Sequence, residues 1–356
     1  MVSQVPVDEL VAGDASQPVD GTLLGQSREG RGVLGWRLGQ GSCHVSLIAG
    51  CHADEPVGPE TLRRLVALLA SLQGDEPLLT DYTWLLVPDA NPDGAERNAA
   101  WARRTVTLVD SAGKADRGFD LAAYALGVVR ELPGDDVEFG FPRSAQDSAA
   151  RPENRAIAAF LAAGAPFSLH GTLHGMGLAP GPWFLLEPAW IERTGELRDD
   201  LRRLVGSLGY GLLDIDRQGD KGFVRIDEGF STRPDSRAMA AHFMARDEPE
   251  TAELFRPSSM EYVRGLGGDP LTFVSEMPLF LMPEPAETTD PRVAFRAGTA
   301  ARLELHHWLD ELARRGEGES VRRAAAERGI RPMPIRDQMR LQVGLVNAGL
   351  RAIQVG

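Results

Sequence analysis

Apolar residues recur along this chain in two rhythms that alternate with one another. His44 to Gly50, HVSLIAG, is a short apolar run of strand length, and the following PETLRRLVALLASLQG repeats Leu62, Leu65, Val66, Leu69 and Leu72 at helical spacing behind Pro59. The same grammar returns later: TWLLVPDANPDG reads as a buried strand ending in a turn, RPENRAIAAFLAAG as a helix closed by glycine, and PFSLHG and LTFVSEMP as two further strands. Residues 21–40, with glycines spaced through GTLLGQSREGRG, predict an entry hairpin. Strands alternating with helices predict an α/β fold, a mixed and mostly parallel twisted sheet with helices on both faces.

Between Arg103 and Arg151 the chain is polar and glycine-bearing, and long loops near a site are expected there. PRVAFRAGTAARLELHHWLDELARRG reads as an amphipathic helix with two shorter helical patterns behind it. The expected organisation is therefore one catalytic domain over residues 1–312 and a helical extension over 313–356 packed on it.

Composition narrows the chemistry. Hydrophobic residues make up 43% of the 356, ample for a large core. A net charge of -13 with scattered arginines argues against nucleic acid as a partner. The opening residues lack the basic start and apolar run of a secretory signal, and no stretch reaches membrane-spanning length, so a cytoplasmic location away from the membrane is the expectation. Only Cys43 and Cys51 occur, which excludes a disulfide framework and a multi-cysteine zinc knot; any metal must be held by His and carboxylates.

In open α/β sheets ligands gather beyond the carboxyl ends of strands, so polar residues that follow apolar runs are the candidates for chemistry. After Gly50 stand His52 and Glu55, an imidazole and a carboxylate that can chelate one cation from a single loop, or else a loop histidine and an acid favouring a helix start. His170 follows Phe167 and Leu169 at the expected end of its strand and is the expected third ligand, which leaves a fourth position for water. His174 competes with it, or orients substrate, or sits in a glycine-flanked turn. Glu276 ends LTFVSEMP, where partial burial would raise its pKa and suit it to accept a proton from water, its alternative being a salt-bridge partner.

These residues resemble the zinc carboxypeptidase family, the carboxypeptidase A and B group with its bacterial relatives, over about residues 22–312. Gly25 to Arg31 is similar to the family's opening G-x-S-x-x-G-R, His52 to Glu55 to its H-x-x-E, and Asn91-Pro92-Asp93-Gly94 to its N-P-D-G turn. Arg151 to Ala156, Ser168 to Gly171 and Thr272 to Glu276 resemble the helix ahead of the last metal ligand, the segment bearing that ligand and the strand bearing the base. The resemblance implies one zinc ion held by His52, Glu55 and His170, with Glu276 as general base toward water activated on the metal. It also implies an arginine that stabilises the oxyanion, for which Arg97 is the candidate and Arg103 the reserve.

One piece departs from the pattern. The family grips a substrate carboxylate with an Asn-Arg pair, and Ala122 and Ala123 stand where that pair is expected. The expected activity is hydrolysis of an amide or peptide bond in a small peptide or acylated amino acid, without commitment to C-terminal exopeptidase action. Two other readings are an N-acyl amino acid deacylase resembling the aspartoacylase and succinylglutamate desuccinylase group, and a non-catalytic metal-binding homologue. Retention of Glu276 beside a complete ligand set argues against the last, and the oligomeric state is left open.

Overall fold

The computed structural model describes residues 2–13, 19–109, 113–283, 291–292, 304, 307–308, 311 and 318–355. Its strands are β1 (Thr22–Gln26), β2 (Gly32–Gly39), β3 (Cys43–Ala49), β4 (Tyr82–Val87), β5 (Thr105–Val109), β6 (Ala115–Phe119), β7 (Leu169–Ala179), β8 (Trp183–Leu186), β9 (Arg225–Asp227), β10 (Phe230–Thr232), β11 (Leu271–Leu281) and β12 (Arg331–Pro332). Strands β5 and β6 form a separate hairpin, and the others form one sheet in the order β1-β2-β4-β3-β7-β11-β8-β10-β9, with β12 on the far end of β11. The four central strands β4, β3, β7 and β11 run parallel, and antiparallel pairs flank them on both sides. The sheet is thus mixed, with its parallel character confined to the middle and to the short β8–β10 pair.

Helices cover both faces. Helix Val57–Ser71 turns Leu62, Leu65, Val66 and Leu69 onto the sheet, the stripe its 3.6-residue period predicts. Helix Pro152–Ala162 packs Ile157, Ala158 and Leu161 against Leu85 and Val87 on the opposite face. The N-P-D-G turn proves to be a helix start: Pro92 opens helix Pro92–Ala102, and the Asn91 side chain caps it by accepting the Gly94 N–H at 3.0 Å.

The long helix Ile335–Val355 buries Leu341, Leu345 and Leu350 in the same core as Leu47 and Leu169 of the central strands. The expected boundary at residue 312, and most of the helix read from PRVAFRAG onward, lie outside the described residues. Among the described residues no helix is long and apolar enough to cross a membrane.

β7 and β11 depart most from the reading of the sequence. Both run for 11 residues, well past the points where apolar alternation suggested they stop. In HGTLHGMG the glycines look like turn signals. Instead they are the positions where other elements press on β7. A Cβ on Gly171 would lie 2.2 Å from the Phe273 ring, and one on Gly177 would lie 2.4 Å from the Tyr124 hydroxyl. His170 therefore sits at the beginning of its strand, not at its end, and His174 in the middle.

Candidate metal centre

His52 and Glu55 lie in the loop that leaves β3, and the backbone N–H of Glu55 closes a tight turn onto the His52 carbonyl at 3.2 Å. Facing them from β7 is His174. Its Nδ1 is 3.2 Å from His52 Nδ1 and 2.8 Å from Glu55 Oε2, while His52 Nδ1 is 3.1 Å from Glu55 Oε1. The expected trio of His52, Glu55 and His170 is not brought together. His170, four residues up the strand from His174, is wholly buried with Ser46 Oγ 2.7 Å from its Nδ1 and Ser259 Oγ 2.9 Å from its Nε2. Both ring nitrogens are occupied by hydroxyls, and burial together with the nearby Arg233 charge lowers its pKa to about 3. It is a neutral histidine of the sheet interior.

The geometry of the actual cluster suits a tetrahedral cation. Ligand atoms about 2.1 Å from such an ion lie roughly 3.4 Å apart, close to the observed 2.8 to 3.2 Å separations. Each histidine turns its other nitrogen to a carboxylate: His52 Nε2 is 3.5 Å from Asp136 and His174 Nε2 is 3.2 Å from Glu138. Carboxylates placed there keep the proton on Nε2 and leave the Nδ1 lone pairs converging on one point, the arrangement that metal-binding histidines favour.

Charge tells the same story. Burial works against ionisation of His174, yet Glu55 and Glu138 outweigh it and raise the ring to about 10; Glu55 and Asp136 likewise raise His52 against its desolvation. Burial also opposes the charge on Glu55, but the two imidazoles hold its carboxyl below the usual range. The carboxylates around the two rings thus favour positive charge at this point.

Glu276 stands beside His174 in register across the parallel β7–β11 pair. Burial, and then the Glu55 charge, push its carboxyl up to about 8. It lies mid-strand, on the same side of the sheet as His174, so the carboxylate expected at a strand tip is delivered to the cluster from within the sheet.

The arginines sort differently from the expectation. Arg97, on helix Pro92–Ala102, pairs with Glu29 at 2.7 Å and Glu131 at 3.1 Å. Arg103 is exposed at the end of that helix and lines a separate cavity of about 740 Å³ with Arg63 and Asp89. The guanidinium next to the cluster belongs to Arg130, whose Nε donates to Asp54 at 2.9 Å and whose terminal nitrogen is 3.8 Å from Glu55. Arg130 keeps 61% of its side chain exposed and shares a cleft of about 370 Å³ with Arg97 and Glu131.

Arg130, Asp136 and Glu138 all come from the polar stretch after Arg103, where loops near the site were expected but no residue was singled out. The family-like motifs explain how that loop is held. Asp93 accepts from Ser27 Oγ at 2.6 Å and from Arg31 at 2.9 Å, which locks the entry hairpin to the N-P-D-G helix start. Asn154 donates to the Val137 carbonyl at 2.8 Å, and Arg151 donates to the Asp135 carbonyl, so the helix start at Arg151 anchors the segment carrying Asp136 and Glu138. Ala122 is buried, and Asp120 before it caps helix Leu121–Gly127 and takes a two-pronged contact from Arg322 at 3.1 Å. The segment where a carboxylate clamp was expected is committed to packing.

Residues 9–181 match the zinc carboxypeptidase family. No curated protein matches the chain in sequence. Among solved structures it is similar to a metallo-carboxypeptidase from Burkholderia cenocepacia, at 16% identity over 98% of this chain and 68% of that one, TM-score 0.46. It is also similar to carboxypeptidase A from Helicoverpa armigera, at 14% identity over 90% of this chain and 72% of that one, TM-score 0.41. Such distant overlaps add nothing to the sequence match, whose range takes in His52, Glu55, His170 and His174 alike. The match takes in just under half of the 356 residues, and over that stretch the chain is similar to the zinc carboxypeptidases.

Proposed function

We propose that the protein hydrolyses amide or peptide bonds with one zinc ion held by His52, Glu55 and His174 and with Glu276 as general base. The observation that carries this reading is the convergence of the two Nδ1 atoms and the Glu55 carboxylate, with Asp136 and Glu138 behind the rings. Bound there, zinc lowers the pKa of a water and polarises the scissile carbonyl. Glu276 accepts the proton of the attacking water and returns it to the leaving nitrogen. The Glu276 carboxyl, pushed up by burial and then by the Glu55 charge, would be held ionised for the task by a cation at Glu55.

Arg130 takes the oxyanion role first given to Arg97, because it is the guanidinium adjacent to Glu55 and still open to solvent. The substrate is a small peptide or acylated amino acid. Ala122 and Ala123 offer no side-chain donor to a substrate carboxylate, so C-terminal exopeptidase action is not assigned; N-acyl amino acid deacylation, which uses the same kind of two-His, one-Glu site, is the second reading, and a panel of acylated amino acids against short peptides separates the two.

The ligand set is tested by metal analysis. The protein as isolated should hold about one zinc per chain, as a three-ligand catalytic site requires. His174→Ala should lose it and His170→Gln should keep it. Zinc retained in the first variant and lost in the second would return the third ligand to His170.

A further inference from the structure

On the far side of the His174 ring lies a second set of metal-ligating atoms. Cys51 Sγ, a Glu138 carboxylate oxygen and a His174 ring nitrogen all fall within 4.8 Å of one another. The three residues are 1%, 5% and 4% exposed, so water does not screen them. His174 can serve both sets because it has two nitrogens: Nδ1 faces His52 and Glu55, and Nε2 faces Glu138.

Two further observations point to a ligand. Glu138 Oε2 meets His174, and on its other side the buried carboxylate has, among the described residues, only the Cys51 thiol, a weak donor. A buried carboxylate oxygen matched only by a weak donor is costly, and a cation in the thiol proton's place would match it better. The charge around the ring is also unbalanced. Asp54, Glu55, Asp136, Glu138 and Glu276 surround the two imidazoles, and among the described residues Arg130 is the permanently charged cation paired into the group. One divalent ion at the first set, together with Arg130, offsets three of these five negative charges.

We propose that Cys51, Glu138 and His174 form a second cation site, back to back with the first, which takes a soft divalent ion such as cadmium, or zinc in excess. Thiolate selects soft metals over calcium or magnesium. On binding, the Cys51 thiol and His174 Nε2 each release a proton to solvent and the ion takes both places, leaving His174 as a bridge between two metals. The inference rests on the reading of His174 as a ligand of the first site only for that bridging; the thiol and carboxylate stand independently of it.

Cadmium titration of the metal-free protein tests this, read by bound metal and by the ultraviolet charge-transfer band that a thiolate gives to cadmium. The expected result is about two ions per chain with the thiolate band appearing. Cys51→Ser should lose the band and about one ion, whereas Cys43→Ser, at the opposite end of β3, should keep both. Glu138→Gln, checked for native circular dichroism, should weaken the band-bearing ion at least about 10-fold. No band in the wild-type protein, or a band that survives Cys51→Ser, overturns the inference and leaves the proposed function untouched. His52→Ala should lose one ion and keep the band; if that variant still binds both, the second site stands and the ligand set of the proposed function fails.

Discussion

His170 supplies a measurement that separates a histidine of the fold from a histidine of the metal site. Its ring is wholly buried between Ser46 and Ser259, and burial with the Arg233 charge lowers its pKa to about 3. In the unfolded chain the same ring titrates near its ordinary value of about 6.5. Above that pH the ring is neutral in both states and contributes nothing to the pH dependence. As pH falls below about 6.5, the unfolded chain binds a proton that the native protein refuses, so stability is lost progressively down to the folded pKa near 3. At pH 5 the unfolded ring lies about 1.5 units below its pKa, and at about 1.36 kcal/mol per unit the loss is about 2 kcal/mol. Gln in place of His170 keeps hydrogen-bonding capacity toward both serines and removes the titration. Urea unfolding of wild type and His170→Gln at pH 7.5 and pH 5, with chelator present throughout, should show the wild type losing about 2 kcal/mol more on acidification than the variant. Equal acid sensitivity in the two proteins would refute the assignment of a buried neutral ring.

Glu276→Gln should leave bound zinc at wild-type level while turnover falls at least about 100-fold, the typical scale for loss of a general base; unchanged turnover would remove Glu276 from the chemistry. Arg130→Ala should lower turnover by about 100-fold or more, the scale for removal of an oxyanion donor, and Arg97→Ala should lower it far less. Steady-state kinetics on one amide substrate decides between them, and the opposite ranking would restore the role first given to Arg97. Together with zinc analysis of His174→Ala and cadmium binding to Cys51→Ser, these measurements address each group around the centre separately.

Local patterns along the chain specify most of the architecture. The apolar run from Val45 to Ile48 is a central strand because it is buried on both faces, and the leucines of helix Val57–Ser71 face the sheet because they fall on one stripe. His52 and Glu55 sit three residues apart on one loop, so their chelating geometry is local and readable in advance. The identity of the third partner is not local. Gly171, Gly175 and Gly177 interrupt β7 only on paper; Phe273, the Met277 carbonyl and Tyr124 occupy the space their side chains would take, and those groups come from elements 53 to 102 positions away in sequence. Strand length, and with it the choice between His170 and His174, is set by that packing. Register does the rest, since pairing of β7 with β11 sets Glu276 beside His174 and Thr272 beside His170. Arg130, Asp136 and Glu138 belong to a loop with no periodicity of its own, positioned by Asn154 and Arg151 from the next helix. A hydrophobic pattern reports which way a residue faces; which distant residue it faces is decided only when the strands pair and the loops are tied down.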